Sequence, residues 1–247
     1  MKRISLLFTL FIVIVVFASC SSKSELVIEV PELSQGEITI IYATPDQIDS
    51  RQQEILKTVQ ISNGKAQIVF DSISFDKKIK DCTILIADTS KQFAYGIPLP
   101  LEKGETLTIK ISGIDKYLQK EDYLKITYSG SKKAEEFSKF YNDLMEQNKI
   151  LLSAPKKTKK VYAKQAEIYK TYIEENKESG LVYSLMIGQL MQFKLNDQNP
   201  IIDLCSNLCL SVEEENIWAN YLCKILAERQ KKAFSSSILS FTAIDKD

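Results

Sequence analysis

The chain has 247 residues, 45% of them hydrophobic, with 32 Lys+Arg balanced by 32 Asp+Glu and no histidine. That length and apolar content allow one or two domains with a substantial core, while balanced charge leaves no electrostatic footprint for nucleic acid. Without histidine there is no Ser-His-Asp or Cys-His arrangement, no imidazole zinc ligand and no histidine proton relay.

Lys2 and Arg3 form a short positive head, Ile4 to Phe17 are apolar apart from Ser5 and Thr9, and Ala18-Ser19-Cys20 closes the stretch. A spanning helix needs about 20 apolar residues, and this run is shorter. A short apolar core ending at small residues is the secretory pattern. Small residues directly before a cysteine look like the lipobox of a bacterial lipoprotein, although Phe17 stands where Leu is commoner. The expected processing makes 1–19 a signal peptide and Cys20 the lipidated first residue, with 20–24 as a polar tether. A plain signal peptide and an uncleaved anchor are the competing readings. Two or more acyl chains hold a protein stably on a membrane where one does not. The residue after Cys20 is Ser21 rather than Asp, and no acidic cluster follows. This resembles lipoproteins of the outer membrane that face the periplasm.

From Glu25 to Tyr128 the hydrophobic period is two. Strands are predicted at Leu26–Val30, Glu37–Tyr42, Val59–Ile61, Ala66–Phe70, Cys82–Ile86, Phe93–Ile97, Thr106–Ile111 and Lys125–Tyr128. Asn63-Gly64 between two of these runs is a hairpin signal, because both residues tolerate positive φ. Short antiparallel strands at this spacing predict an N-terminal β-sandwich or partly open barrel over residues 25–128.

After Ser129-Gly130-Ser131 the period becomes helical, which predicts an α-helical domain over 129–235 and a tail over 236–247. The two halves are expected to be distinct packing units, an α+β organisation. Phe137, Phe140, Tyr141, Leu144 and Leu151 share one face of a first helix. Tyr162, Ala166, Tyr169 and Ile173 mark a second, which Gly180 stops. Leu181–Phe193 reads as a central buried helix despite Gly188. Asn199-Pro200 opens a short helix through Leu208. Ser211-Val212-Glu213-Glu214 fits a capping box for a last helix burying Ile217, Trp218, Tyr221, Leu222 and Ile225.

Cysteine is the one plausible nucleophile or redox group. Cys82 alternates with Ile84 and Ile86, which predicts a reduced core thiol. Cys205 and Cys209 lie four apart, on one flank of a short helix. No further soft ligands stand at zinc-binding spacing, so no metal site is expected. Cys223 falls on the polar side of its helix, where a partner would explain it. A disulfide between Cys223 and either Cys209 or Cys205 suits an oxidising compartment. No Cys-x-x-Cys is present, so the usual low-pKa redox pair is missing. Lys156–Lys160 reads as solvated charge, with a phosphate or lipid headgroup as the alternative. Tyr162, Tyr169 and Tyr172 read as packing residues, and Glu213–Glu215 as helix-start charge.

The order of parts resembles the N-terminal region of the TlpA/ResA-like thiol–disulfide oxidoreductase lipoproteins of Bacteroidetes. The β segment is similar to their domain of unknown function DUF4369, through Gly36-Glu37-Ile38-Thr39-Ile40, Gly64-Lys65-Ala66-Gln67-Ile68-Val69-Phe70 and Leu101-Glu102-Lys103-Gly104-Glu105-Thr106-Leu107. Ser240-Phe241-Thr242-Ala243-Ile244-Asp245 is similar to the segment leading into their thioredoxin-like domain. That domain carries the family's Cys-x-x-Cys, and no position here matches it. The resemblance therefore implies the accessory part without the redox engine, and it carries over no catalytic residue.

The expected function is a non-catalytic envelope lipoprotein, a binding or accessory module facing the periplasm. Its expected partners are the membrane, through Cys20, and an envelope protein, with no cofactor. The alternative is a component of a TlpA-like thiol–disulfide exchange system, whole or truncated.

Overall fold

The computed structural model describes residues 23–45, 47, 52–70, 82–153, 158–177, 179–192, 200–210 and 216–244. The proposed signal peptide and Cys20 lie outside them. Eight strands form one sheet: β1 (Ser24–Glu29), β2 (Gln35–Tyr42), β3 (Glu54–Ser62), β4 (Lys65–Phe70), β5 (Cys82–Asp88), β6 (Phe93–Pro98), β7 (Thr106–Ser112) and β8 (Lys125–Ser129). Their order is β6-β5-β2-β3-β4-β1-β7-β8. Each strand alternates faces, so Leu26 and Ile28, Ile84 and Ile86, and Ile109 and Ile111 all point into one core. Asn63 (φ 50) and Gly64 (φ 73) make the β3–β4 turn.

Two features correct the expectation of a simple antiparallel array. First, β1 pairs with β7 in parallel, Leu26 opposite Leu107 and Ile28 opposite Ile109. Both strands are central, and the long excursion through β2–β6 returns the chain beside its starting strand in the same direction. Second, β3 and β4 pair only at Ser62 and Lys65, although β3 follows β2 from Gln35 to Tyr42. Beyond the turn they splay, and Lys57 Nζ donates to the Val69 carbonyl at 3.2 Å. The sheet curls around this corner until its two edges meet, where the Tyr128 hydroxyl donates to the Pro98 carbonyl at 3.2 Å.

Helix α1 (Ile114–Leu118) has no forerunner in the sequence reading, because five residues are too few to show an apolar period. Glu32 on the β1–β2 connection organises it. Its carboxylate accepts from the Gly113 N–H at 2.6 Å and from the Ile114 and Asp115 N–H groups. Lys91 Nζ donates to the Glu32 carbonyl at 2.9 Å and to Asp115 at 2.8 Å, tying three connections together.

Helix α2 (Lys132–Ser153) is capped by Ser131, whose Oγ accepts from the Ala134 N–H at 3.2 Å. It covers the β8 edge: Ser138 Oγ takes the Tyr128 N–H at 3.0 Å, and Phe137 meets the Tyr128 ring edge-on at 5.1 Å. An edge strand blunted in this way cannot template pairing with another chain. Beyond it come α3 (Thr158–Glu175), α4 (Gly180–Gln192), α5 (Pro200–Cys209) and α6 (Ile217–Ile244). Asn148 Oδ1 accepts from Gln165 at 2.7 Å and from Gln189 at 3.2 Å, locking α2, α3 and α4 in register. The buried apolar cluster is continuous from Leu26 on β1 to Leu226 on α6.

The start of α6 differs from the sequence reading. Asn216 caps it, its Oδ1 accepting from the Ala219 N–H at 3.0 Å, while Ser211–Glu215 lie outside the described residues. Ile217, expected in the core, is 50% exposed. At the first helical position it precedes the buried stripe that begins with Trp218. The helix then runs on to Ile244, past the residue where a tail was expected. Leu151 is also beyond description at the side-chain level.

Candidate functional site

Cys209 and Cys223 are joined in a disulfide, with Cα atoms 5.6 Å apart, linking the end of α5 to the second turn of α6. This accounts for Cys223 on the polar side of its helix. Both residues are partly exposed. Cys205, one turn before Cys209, faces the interior and is not disulfide-bonded, and neither is Cys82 in the sheet core. Burial pushes the Cys205 thiol up to about 12. A thiol held protonated at neutral pH is a poor nucleophile, which separates Cys205 from redox chemistry. Iodoacetamide should therefore leave Cys205 unlabelled in the native protein and label it within minutes in denaturant; rapid native labelling would show an accessible thiol.

The other residues singled out by sequence fall as follows. Lys156 and Lys157 lie outside the described residues, and Lys160 is exposed on α3. Tyr169 is fully buried and Tyr162 half-buried, both as packing residues. Tyr172 does more than pack. It stacks on Phe140 with ring centroids 4.3 Å apart and forms a wall of two adjoining clefts.

The larger cleft, about 450 Å³, opens where the sheet meets the helices. One wall is the β6–β7 connection with the start of α2, contributing Pro100, Leu101, Glu102 and Lys133. The other is the α3–α4 turn, from Glu174 to Leu181, and Phe137 and Tyr172 lie between. The second cleft, about 360 Å³, continues along the α2–α3 seam past Tyr172 and Glu175. Such volumes fall in the range of small-ligand sites, roughly 300–1,000 Å³.

Charge of both signs edges the larger cleft. Lys133 Nζ lies 2.6 Å from Glu102, and that carboxylate raises the lysine pKa. Burial first, then the nearby Glu136 and Glu102 carboxylates, push the Tyr172 hydroxyl up to about 12, so it keeps its proton and can donate. Deeper in, burial also raises Tyr128 and Tyr141, making the interior behind the cleft a neutral aromatic block. None of the described cysteines lines the cleft. The arrangement offers hydrogen bonding, paired charge and apolar contact, which is binding chemistry.

Sequence reasoning did not find this cleft. Its walls come from three separate segments of the chain, around Glu102, Lys133 and Glu175. Tyr172 looked like any packing aromatic at helical spacing. Compared with protein-family models and with curated proteins, the chain matches none. Among the described residues, no group of three or more His, Cys, Asp and Glu side chains could hold a metal ion. No described helix is long and apolar enough to cross a membrane.

Proposed function

We propose that this chain is a non-catalytic cell-envelope lipoprotein. Its lipid at Cys20 tethers it to the outer membrane facing the periplasm, and the fold presents a binding module to an envelope ligand or partner protein. The cleft at the sheet–helix junction carries this reading, because it combines ligand-sized volume with paired charges and is lined by none of the described cysteines. The same proposal takes the splayed sheet as the two leaves of a DUF4369-like β-sandwich, β6-β5-β2-β3 facing β4-β1-β7-β8. The single β3–β4 pair at the corner and the edge contact between Tyr128 and Pro98 support it. The relationship to TlpA/ResA-like lipoproteins rests on the sequence patterns alone.

In a bacterial host, the chain is expected to incorporate labelled fatty acid and partition into detergent, and Cys20→Ala should abolish both. Label retained by Cys20→Ala would sink the lipoprotein reading. The partial exposure of the Cys209–Cys223 pair favours one second reading, a component of thiol–disulfide exchange. Insulin reduction by the chain, lost in Cys209→Ser, would promote that reading over the first.

A further inference from the structure

We infer that the cleft at the sheet–helix junction binds a short peptide with free termini and an apolar side chain between them. The inference rests on the binding-module reading and names the ligand class for it. Each wall of the cleft carries groups of both signs: Glu102 with Lys133 on one side, and Glu174 and Glu175 with Lys177 on the other, Glu174 lying 3.9 Å from Lys170. The first pair is already closed at 2.6 Å. Glu175 and Lys177 make no ion pair among the described residues, although both line the cleft. A ligand carrying a single charge would meet an opposing like charge on either wall. A zwitterion whose ends are separated by an apolar body meets a complementary group at each end.

The floor supplies the remaining contact. Tyr172 is held by its stack on Phe140 and its edge contact with Phe137, 6.1 Å between centroids, so the aromatic surface is rigid before any ligand arrives. Preorganised walls avoid the entropy cost of ordering side chains on binding. The Tyr172 hydroxyl, half-buried, adds a neutral donor for a peptide carbonyl. A volume of about 450 Å³ suits two or three residues rather than a folded partner.

The test is calorimetric titration of the full chain in detergent with Leu-Phe-Leu. Saturable binding is expected with a Kd below about 1 mM. Acetylating and amidating the peptide should weaken it about tenfold or more, as should Glu175→Gln or Lys177→Gln, since each removes a charge-assisted contact. Lys110→Gln, an exposed change on the sheet, should leave binding as it was. Both cleft residues are exposed, so the variants should keep the native circular dichroism. No saturable heat with Leu-Phe-Leu, equal binding of free and capped peptide, or indifference to both cleft variants would each overturn the inference. Fatty-acid labelling at Cys20 is measured separately, so a failed titration with lipidation intact removes the ligand class and leaves the envelope-lipoprotein reading standing.

Discussion

Reducing the Cys209–Cys223 bond is expected to lower the melting temperature by roughly 10 °C. The bond closes a loop with a sequence separation of 14. In the chain-entropy account, a loop of about that length stabilises the folded state by about 3 kcal/mol, because the cross-link removes freedom from the unfolded chain. For a protein of this size, 1 kcal/mol corresponds to about 2–4 °C. Thermal melts with and without dithiothreitol measure the effect. Cys209→Ala, Cys223→Ala and the double variant should coincide, since either single change removes the same bond and the two are not additive. Equal melting temperatures under oxidising and reducing conditions would show that the bond does not constrain the unfolded chain. The loss belongs to stability, so peptide binding at the cleft, which none of the described cysteines lines, should survive in the reduced protein below its new transition.

The second large effect comes from one substitution made at two glycines. Gly130 joins β8 to α2 with φ +117, and a Cβ there would stand 2.0 Å from the Thr106 carbonyl oxygen. The obstacle is β7 backbone, which cannot rotate away like a side chain. Gly130→Ala should therefore cost about 3 kcal/mol or more, from the strained φ together with the displacement of β7 from β8. Gly188, inside α4, meets nothing within 4 Å of an added Cβ. There Ala should stabilise by roughly 0.5–1 kcal/mol, because glycine in a helix interior loses more backbone entropy on folding. Urea unfolding of both variants checks the signs. A neutral Gly130→Ala would mean that the β8–α2 junction relaxes freely, and a destabilising Gly188→Ala would reveal a contact at that helix face.

Much of the architecture was legible from local pattern. All eight strands overlap the runs that the two-residue period and the turn residues mark, although β3 begins at Glu54, well before the expected start at Val59, and the change to a helical period falls between β8 and α2. The reason is physical: one-sided burial imposes the period of the backbone on the side chains, strand by strand and helix by helix. Helix α1 was not legible, since its start depends on a carboxylate from Glu32, 82 residues from Ile114. The cap of α6 was misread because two polar residues five positions apart, Ser211 and Asn216, both suit a helix start, and local chemistry does not choose between them.

The thiols divide along the same line. Spacing and helical phase alone put Cys82 in the core and left Cys223 in want of a partner. Choosing Cys209 over Cys205 required knowing how α5 packs against α6, because residues four apart share a helix flank and only the crossing of two helices sets which Cα comes within bonding range. The candidate site depended still more on the tertiary structure. Composition excluded histidine chemistry and a nucleic-acid footprint, and the leader pattern gave an expected address. The parallel meeting of β1 with β7, the curl that brings Tyr128 to Pro98, and the cleft between Glu102 and Glu175 are all contacts between distant segments. Local periodicity records which side of an element is buried, but it carries no information about which element buries it. That was decided by packing.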